Sequence, residues 1–433
     1  MRDFLFTTWE GGGNIPPTLT TVRKLVASGH RVRVMSDACN QAEVETAGGE
    51  FIPWCRAPSR PDKTASSDLM RDWEASSPQE GFDRMLDKIM CGPALAYARD
   101  VIDEIGNQRP DLVVSSEMLF GVMVGCEALR QPLALLSTNL SLFPIPGIPP
   151  FGAGLMPART EADRELHRAV AAAGRDMFNR GLPPLNHARW TLGLEPVTDV
   201  YDQTRAAECL LLATSRTFDF PADFLPGYIR YVGPQLDDPA WAEPWTSPWS
   251  QDDPRPLVLV AFSTTFQDHA PVVRRVTEAL GRMPVRGLVT LGPNLSVADV
   301  PPPAENVVVC RSAPHGTVMQ RASVVVTHGG HGTVMRALSH RLPLLCMPMG
   351  RDQNDNAARV VAHGAGICLQ TSASTDEVQA ALEQLISDIS FARAARRLGD
   401  AVAAEAASSP VVQELVRLAD ANCQRSQLTF TAA

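Results

Sequence analysis

Short apolar runs alternate with amphipathic stretches of helical period along most of this chain, and that alternation sets the first expectation. Residues 4–8 form a β-prone run, Glu10-Gly11-Gly12-Gly13-Asn14 reads as a turn, and Pro16-Pro17 suit a helix start, where a missing N–H costs nothing. Leu19, Val22, Leu25 and Val26 then recur at helical spacing, Gly29 closes the helix, and residues 31–35 form the next strand. Further strand-length runs lie at 112–114, 133–136 and 210–213. Residues 234–256 break the rhythm with six prolines and with Trp241, Trp245 and Trp249, the composition of an interdomain linker. The rhythm then resumes. Strands are expected at 257–262, 287–291, 307–309 and 324–327, a helical face runs through Val272, Val273, Val276 and Leu280, and alanine-rich helices occupy 374–423.

Strands alternating with helices predict parallel sheets covered on both faces. The expected fold is therefore α/β, with two doubly wound Rossmann-like domains facing across a cleft. The expected boundaries are 1–233 for the first domain, 234–256 for the linker, 257–408 for the second domain and 409–433 for a C-terminal helix and tail. Residues 139–200 fit the rhythm poorly. There Pro144, Pro146, Pro149 and Pro150 alternate with Phe143, Ile145, Ile148 and Phe151, which reads either as a lid over a flat apolar acceptor or as a packed surface loop.

Composition narrows the function. With 433 residues the chain is long enough for two cores, and 45% hydrophobic against 20% charged residues is an ordinary globular balance. A net charge of -9 without a basic block argues against nucleic acid as a partner, and the absence of a basic amphipathic stretch argues against a membrane surface. Nine scattered cysteines without a Cys-x-x-Cys pair read as reduced core thiols rather than zinc ligands. The first residues carry too short an apolar run for a signal peptide, so a cytoplasmic location is expected.

The densest chemistry lies at 324–360. A β-branched strand runs into His328-Gly329-Gly330-His331-Gly332-Thr333 and then into a helix. A glycine turn at a helix N-terminus offers free N–H groups and the positive end of the helix dipole to an anion. Thr333 adds a hydroxyl and His328 an imidazole donor, so a diphosphate could be neutralised without a metal ion or a cofactor. His331 fills the variable slot of the turn and either touches the ligand or merely lines the pocket. A second strand-to-helix turn follows, with Asp352-Gln353-Asn354-Asp355-Asn356. Asp352 and Gln353 could read sugar hydroxyls, and the bland alternative for Asp352 is a helix cap.

These motifs resemble the donor domain of the nucleotide-sugar glycosyltransferases of GT-B fold, which include plant UDP-glycosyltransferases and bacterial enzymes that decorate macrolides and polyketides. The match rests on the His-Gly-Gly-x-Gly-Thr element, on Pro343 and Pro348, and on Asp352-Gln353 with Asn356, over roughly residues 305–370. The resemblance implies that His328, Gly330, Gly332 and Thr333 hold the diphosphate and that Asp352 and Gln353 hold the sugar. It also implies that the backbone near Ser312 and Pro314 meets the base, and that Ser263, Thr264 and Thr265 approach phosphate. It implies an inverting transfer from a UDP- or dTDP-sugar to a small hydrophobic acceptor, aromatic or polyketide-like, with oxygen as the acceptor atom. A homodimer is left open. Ser312 departs from the family's tryptophan, and Arg336 stands where plant enzymes place a glutamate for the ribose.

The acceptor side departs further. Family members carry a histidine base after the first strand and an aspartate after a later one. The corresponding positions here are Asn14 and Ser116. An asparagine can position a hydroxyl but cannot take its proton. Glu10 and Glu117 are the carboxylates at hand, each of which could equally be a solvated side chain. Alternatively the acceptor ionises as readily as a phenol. Two rivals stay open: a sugar-nucleotide epimerase of similar fold, and a binding relative that has lost turnover.

Overall fold

In the computed structural model the described residues are 1–237, 245–250, 252–262, 269–292 and 295–431. Seven strands make the first sheet: β1 (Asp3–Thr7), β2 (Arg31–Ser36), β3 (Glu50–Pro53), β4 (Leu112–Ser116), β5 (Leu133–Ser137), β6 (Cys209–Leu212) and β7 (Ile229–Tyr231). Their order is β3-β2-β1-β4-β5-β6-β7, with every pairing parallel. The second sheet contains β8 (Leu257–Ala261), β9 (Arg286–Thr290), β10 (Val307–Cys310), β11 (Val324–Thr327), β12 (Leu344–Cys346) and β13 (Gly366–Cys368), in the order β10-β9-β8-β11-β12-β13, again parallel.

The buried runs explain the layering. Leu257 to Ala261 and Val324 to Thr327 are buried at every position, as expected of central parallel strands covered on both faces. Each sheet separates two apolar clusters: Phe4, Phe6, Val114 and Leu136 face one side of the first sheet, and Leu5, Val113 and Leu135 the other. The helix Val411–Thr431 does not extend the second domain. It returns to the first, where Val411, Leu415, Leu418 and Ala419 close the cluster that contains Phe4 and Ile15.

Strand order decides where ligands can go. It reverses between β1 and β4 in the first sheet and between β8 and β11 in the second, and such switch points open a crevice beyond the carboxyl ends of the strands. The two crevices face each other. Leu140 and Phe218, both from the first domain, are buried in an apolar cluster of the second.

The segment read as a lid or a packed loop packs at its root. Leu142, Phe143 and Ile145 are buried in the first domain's core, with Ile148 and Phe151 against it. Beyond it, the helices Glu161–Asn179 and Leu182–Thr191 restore regular structure. In the linker, Trp245 and Trp249 pack against the second domain, and Trp241 lies outside the described residues.

Candidate functional site

Three strand-to-helix turns of the second sheet define its face toward the cleft. At the end of β11, Gly329 takes a φ of +89°, a left-handed conformation that favours glycine. Gly330 caps the helix His331–Ser339. A Cβ on Gly330 would lie 2.4 Å from His328 Nε2, so this glycine is what lets the imidazole fold over the turn. Gly332 faces open space and Thr333 is half-buried beside it. The first N–H groups of this helix have no partner within it and point out of its start. His328 itself is buried, its Nδ1 3.4 Å from Thr327 Oγ1. Burial holds its pKa down to about 3, with His269 and Arg351 pushing the same way, so the ring is neutral and offers one N–H.

The turn after β12 is fastened to the first one. Asn356 Nδ2 donates to the Gly329 carbonyl at 3.0 Å and to Asp352 Oδ2 at 2.6 Å. Asp352 makes no side-chain cap to its helix Gln353–Ala362, which removes the capping alternative. Burial raises the pKa of its carboxyl, opposed by hydrogen bonds from Asn139 and Asn356. Gln353 is buried and its Oε1 accepts the Met349 N–H at 2.7 Å, holding the turn. Pro314 is buried at the end of β10 with Ser312 exposed beside it. Ser263, Thr264 and Thr265 lie outside the described residues.

His331 and Arg336 have partners of their own. His331 Nε2 lies 2.8 Å from Thr214 Oγ1 of the first domain, which makes it an interdomain contact. Arg336 donates to the Asp237 carbonyl at 2.6 Å, tying its helix to the linker.

Across the cleft, the turn after β1 is internally bonded. Asn14 Nδ2 donates to the Trp9 carbonyl at 2.8 Å, and Asn14 Oδ1 accepts the Gly11 N–H at 3.1 Å. Glu10 is buried rather than solvated. One carboxylate oxygen accepts the Gly12 N–H at 2.8 Å, and the other faces Lys63 Nζ at 3.3 Å. Glu117 is also buried, one residue past β4 and beside the β1 turn, because Thr7 pairs with Ser115. Its Oε1 accepts the Ser137 hydroxyl at 3.0 Å, and burial pushes its carboxyl up to about 7. Ser137 Oγ lies 3.4 Å from the carbonyl of Asn139, whose side chain bonds Asp352. A polar line therefore runs from Glu117 across the domain seam to the second turn.

Several residues of this seam were not marked in the sequence. Arg351, with a left-handed φ of +56°, pairs with Asp72 at 2.7 Å. Arg359 forms a buried pair with Asp219 at 2.7 Å, and Tyr231 donates to the same carboxylate at 2.8 Å. Asp355 accepts two backbone N–H groups from the first domain. Among the described residues no group of three His, Cys, Asp or Glu side chains is placed to hold a metal ion, and no helix is long and apolar enough to cross a membrane.

Residues 277–418 match the family model described as the erythromycin biosynthesis protein CIII-like C-terminal domain. The chain is 26% identical over 421 residues to 4'-demethylrebeccamycin synthase of Lentzea aerocolonigenes, covering 92% of this chain and 95% of that one. It is 25% identical over 391 residues to demethyllactenocin mycarosyltransferase of Streptomyces fradiae, covering 89% and 79%. Its fold superposes on a calicheamicin glycosyltransferase with a TM-score of 0.75 at 20% identity, over 96% of this chain and 98% of that one. A spinosyn rhamnosyltransferase complexed with thymidine diphosphate gives a TM-score of 0.66 at 18% identity, over 96% and 100%.

Proposed function

We infer that this chain, a glycosyltransferase of GT-B fold with an EryCIII-like C-terminal domain, moves a sugar from a UDP- or dTDP-sugar to a hydroxyl of a small aromatic or polyketide-like molecule, with inversion. The reading rests on the order of the turns along the second sheet. Strands lie about 4.8 Å apart, so the turn at Ser312 and Pro314 sits three spacings, about 14 Å, from the glycine turn, and the Asp352 turn is one spacing further on. An elongated nucleotide sugar laid along that edge puts its base at Pro314, its diphosphate at 328–333 and its sugar at Asp352 and Gln353. The thymidine diphosphate of the spinosyn neighbour and the natural-product names of the relatives agree with this class of donor and acceptor.

In this scheme the acceptor oxygen attacks the anomeric carbon from the first domain's side. The bond from that carbon to the diphosphate breaks, and the electron pair leaves with the nucleoside diphosphate. The helix N-terminus at Gly330 to Thr333 and the neutral His328 N–H stabilise that charge where it develops, a role that needs no metal ion. The acceptor proton goes to Glu117. A base works best when its pKa lies near the operating pH, which burial provides at this position. We assign Glu10 and Asn14 to holding the β1 turn, because Lys63 neutralises the one and the loop backbone occupies the other.

Glu117→Gln keeps the shape and removes the base. It is expected to lower transfer to an alcohol-type acceptor by about 10²–10⁴-fold while nucleoside diphosphate binding stays within about twofold. Transfer unchanged in that variant would remove Glu117 from the mechanism. The inward bonding of Asn14 also favours a second reading, a relative that binds donor without turnover. A wild-type protein that binds nucleotide sugar but neither hydrolyses nor transfers it would establish that reading instead.

A further inference from the structure

Asp355 sits in the first turn of the helix Gln353–Ala362, where an acidic residue ordinarily closes a capping box. It does not do so here. Its carboxylate leaves the helix and accepts the N–H of Gly152 at 2.5 Å and that of Gly154 at 2.9 Å. Both glycines belong to the proline-rich loop of the first domain, and both have left-handed φ, +98° and +63°. Two glycine amides aimed at one buried carboxylate make a small anion cradle in the loop. The fit is close on the backbone side as well, since a Cβ on Gly154 would stand 2.9 Å from the Asn354 Cβ. Asn354 Nδ2 reaches toward the Gly152 carbonyl at 3.5 Å.

The loop so held is rooted in the acceptor domain's core through Leu142, Phe143 and Ile145. Its tip at 152–154 has these bonds to the donor domain's helix. Asp352 immediately precedes that helix, one turn from Asp355. We propose that Asp355 is a positioning residue that latches the acceptor lid onto the donor-binding helix, so that the lid closes over the same helix end that holds the sugar. The proposal rests on the transferase reading above for what the lid covers, but the latch itself is a property of the fold. A closed lid excludes water from the donor. The latch therefore sets how much donor is lost to hydrolysis rather than passed to the acceptor.

Asp355→Ala and Gly154→Ala break the latch from opposite sides. Each is expected to raise amide hydrogen exchange across residues 147–157 by about tenfold or more. The dissociation constants for uridine and thymidine 5′-diphosphate are expected to stay within about twofold. The ratio of donor hydrolysis to transfer should rise about tenfold in each, and the double variant should be little worse than either single one. Unchanged exchange in Asp355→Ala overturns the proposal. Loss of nucleoside diphosphate binding in that variant also overturns it, because Asp355 would then belong to the donor site. If Asp355→Ala fails to fold, Gly154→Ala decides, and unchanged exchange there is equally fatal. Faster lid exchange in a protein whose wild type transfers to no acceptor supports the latch and removes the transferase reading.

Discussion

The Glu117 carboxyl is about half ionised near pH 7, because burial favours its neutral form. Two consequences with opposite signs follow. As a base it must be ionised, so transfer should rise with pH, about tenfold per unit below 7, and level off above it. Glu117→Gln should flatten that limb, which a pH profile of kcat/KM under saturating donor would read. For stability the sign reverses. The folded value lies above the unfolded one, so the contribution is fully present below about pH 4.5 and is lost as pH rises through about 7. The difference amounts to about 3 kcal/mol, and Glu117→Gln should remove that part of the fall in melting temperature between pH 5 and 8. Sequence alone brought Glu10 and Glu117 forward as equals. What separates them is Lys63, which comes from a distant loop to pair with Glu10, whereas among the described residues Glu117 meets the Ser137 hydroxyl and its own backbone N–H and pairs with no cation. No local pattern encodes that difference.

At the level of elements, the glycine turn was legible because its logic is local: strand, glycines and helix start follow one another in sequence. Gly330→Ala should drive a methyl group into the His328 ring and weaken nucleoside diphosphate binding by about tenfold or more, measurable by titration calorimetry, with little change in melting temperature. Binding as tight as wild type would mean that the ring moves freely and does not shape the site. The strands that the pattern did not reveal, β3, β7 and β13, all lie at sheet edges. They are three or four residues long and carry half-exposed or exposed positions, so they lack the continuous apolar run that marked the central strands. The helix Gln353–Ala362 misleads in a similar way. Asp355 and Arg359 are spaced like an ordinary i,i+4 ion pair. In the fold Arg359 Nη1 donates to the Asp355 carbonyl rather than to its carboxylate, and each charged group turns to the other domain instead. Spacing shows which residues share a helix face but not what that face meets.

Across the whole molecule, one helix and the turn that leads into it carry many of the polar links between the domains. The Arg351 pair with Asp72, the Asp352 bond to Asn139, the Asp355 latch and the Arg359 pair with Asp219 all leave from residues 351–359. The Arg359 guanidinium also lies 4.4 Å over the Phe220 ring. Removing one member of a buried pair strands the other, so Asp219→Ala should cost about 3–5 kcal/mol in a denaturant titration. Replacing both partners by apolar residues, Asp219→Leu with Arg359→Met, should cost less than either single change. A smaller loss in the single variants would show that water enters the seam.

The helix Val411–Thr431 carries a consequence for how the chain is made. Val411, Leu415 and Leu418 complete a core whose other members include Phe4, Phe6 and Ile15, and Arg2 pairs with Asp420 at 2.6 Å. During synthesis the first domain therefore emerges from the ribosome with part of one sheet face, the part beside the helix Ile15–Ala27, uncovered. It must wait, apolar side exposed, until the second domain has been translated, and chaperone demand should fall on that interval.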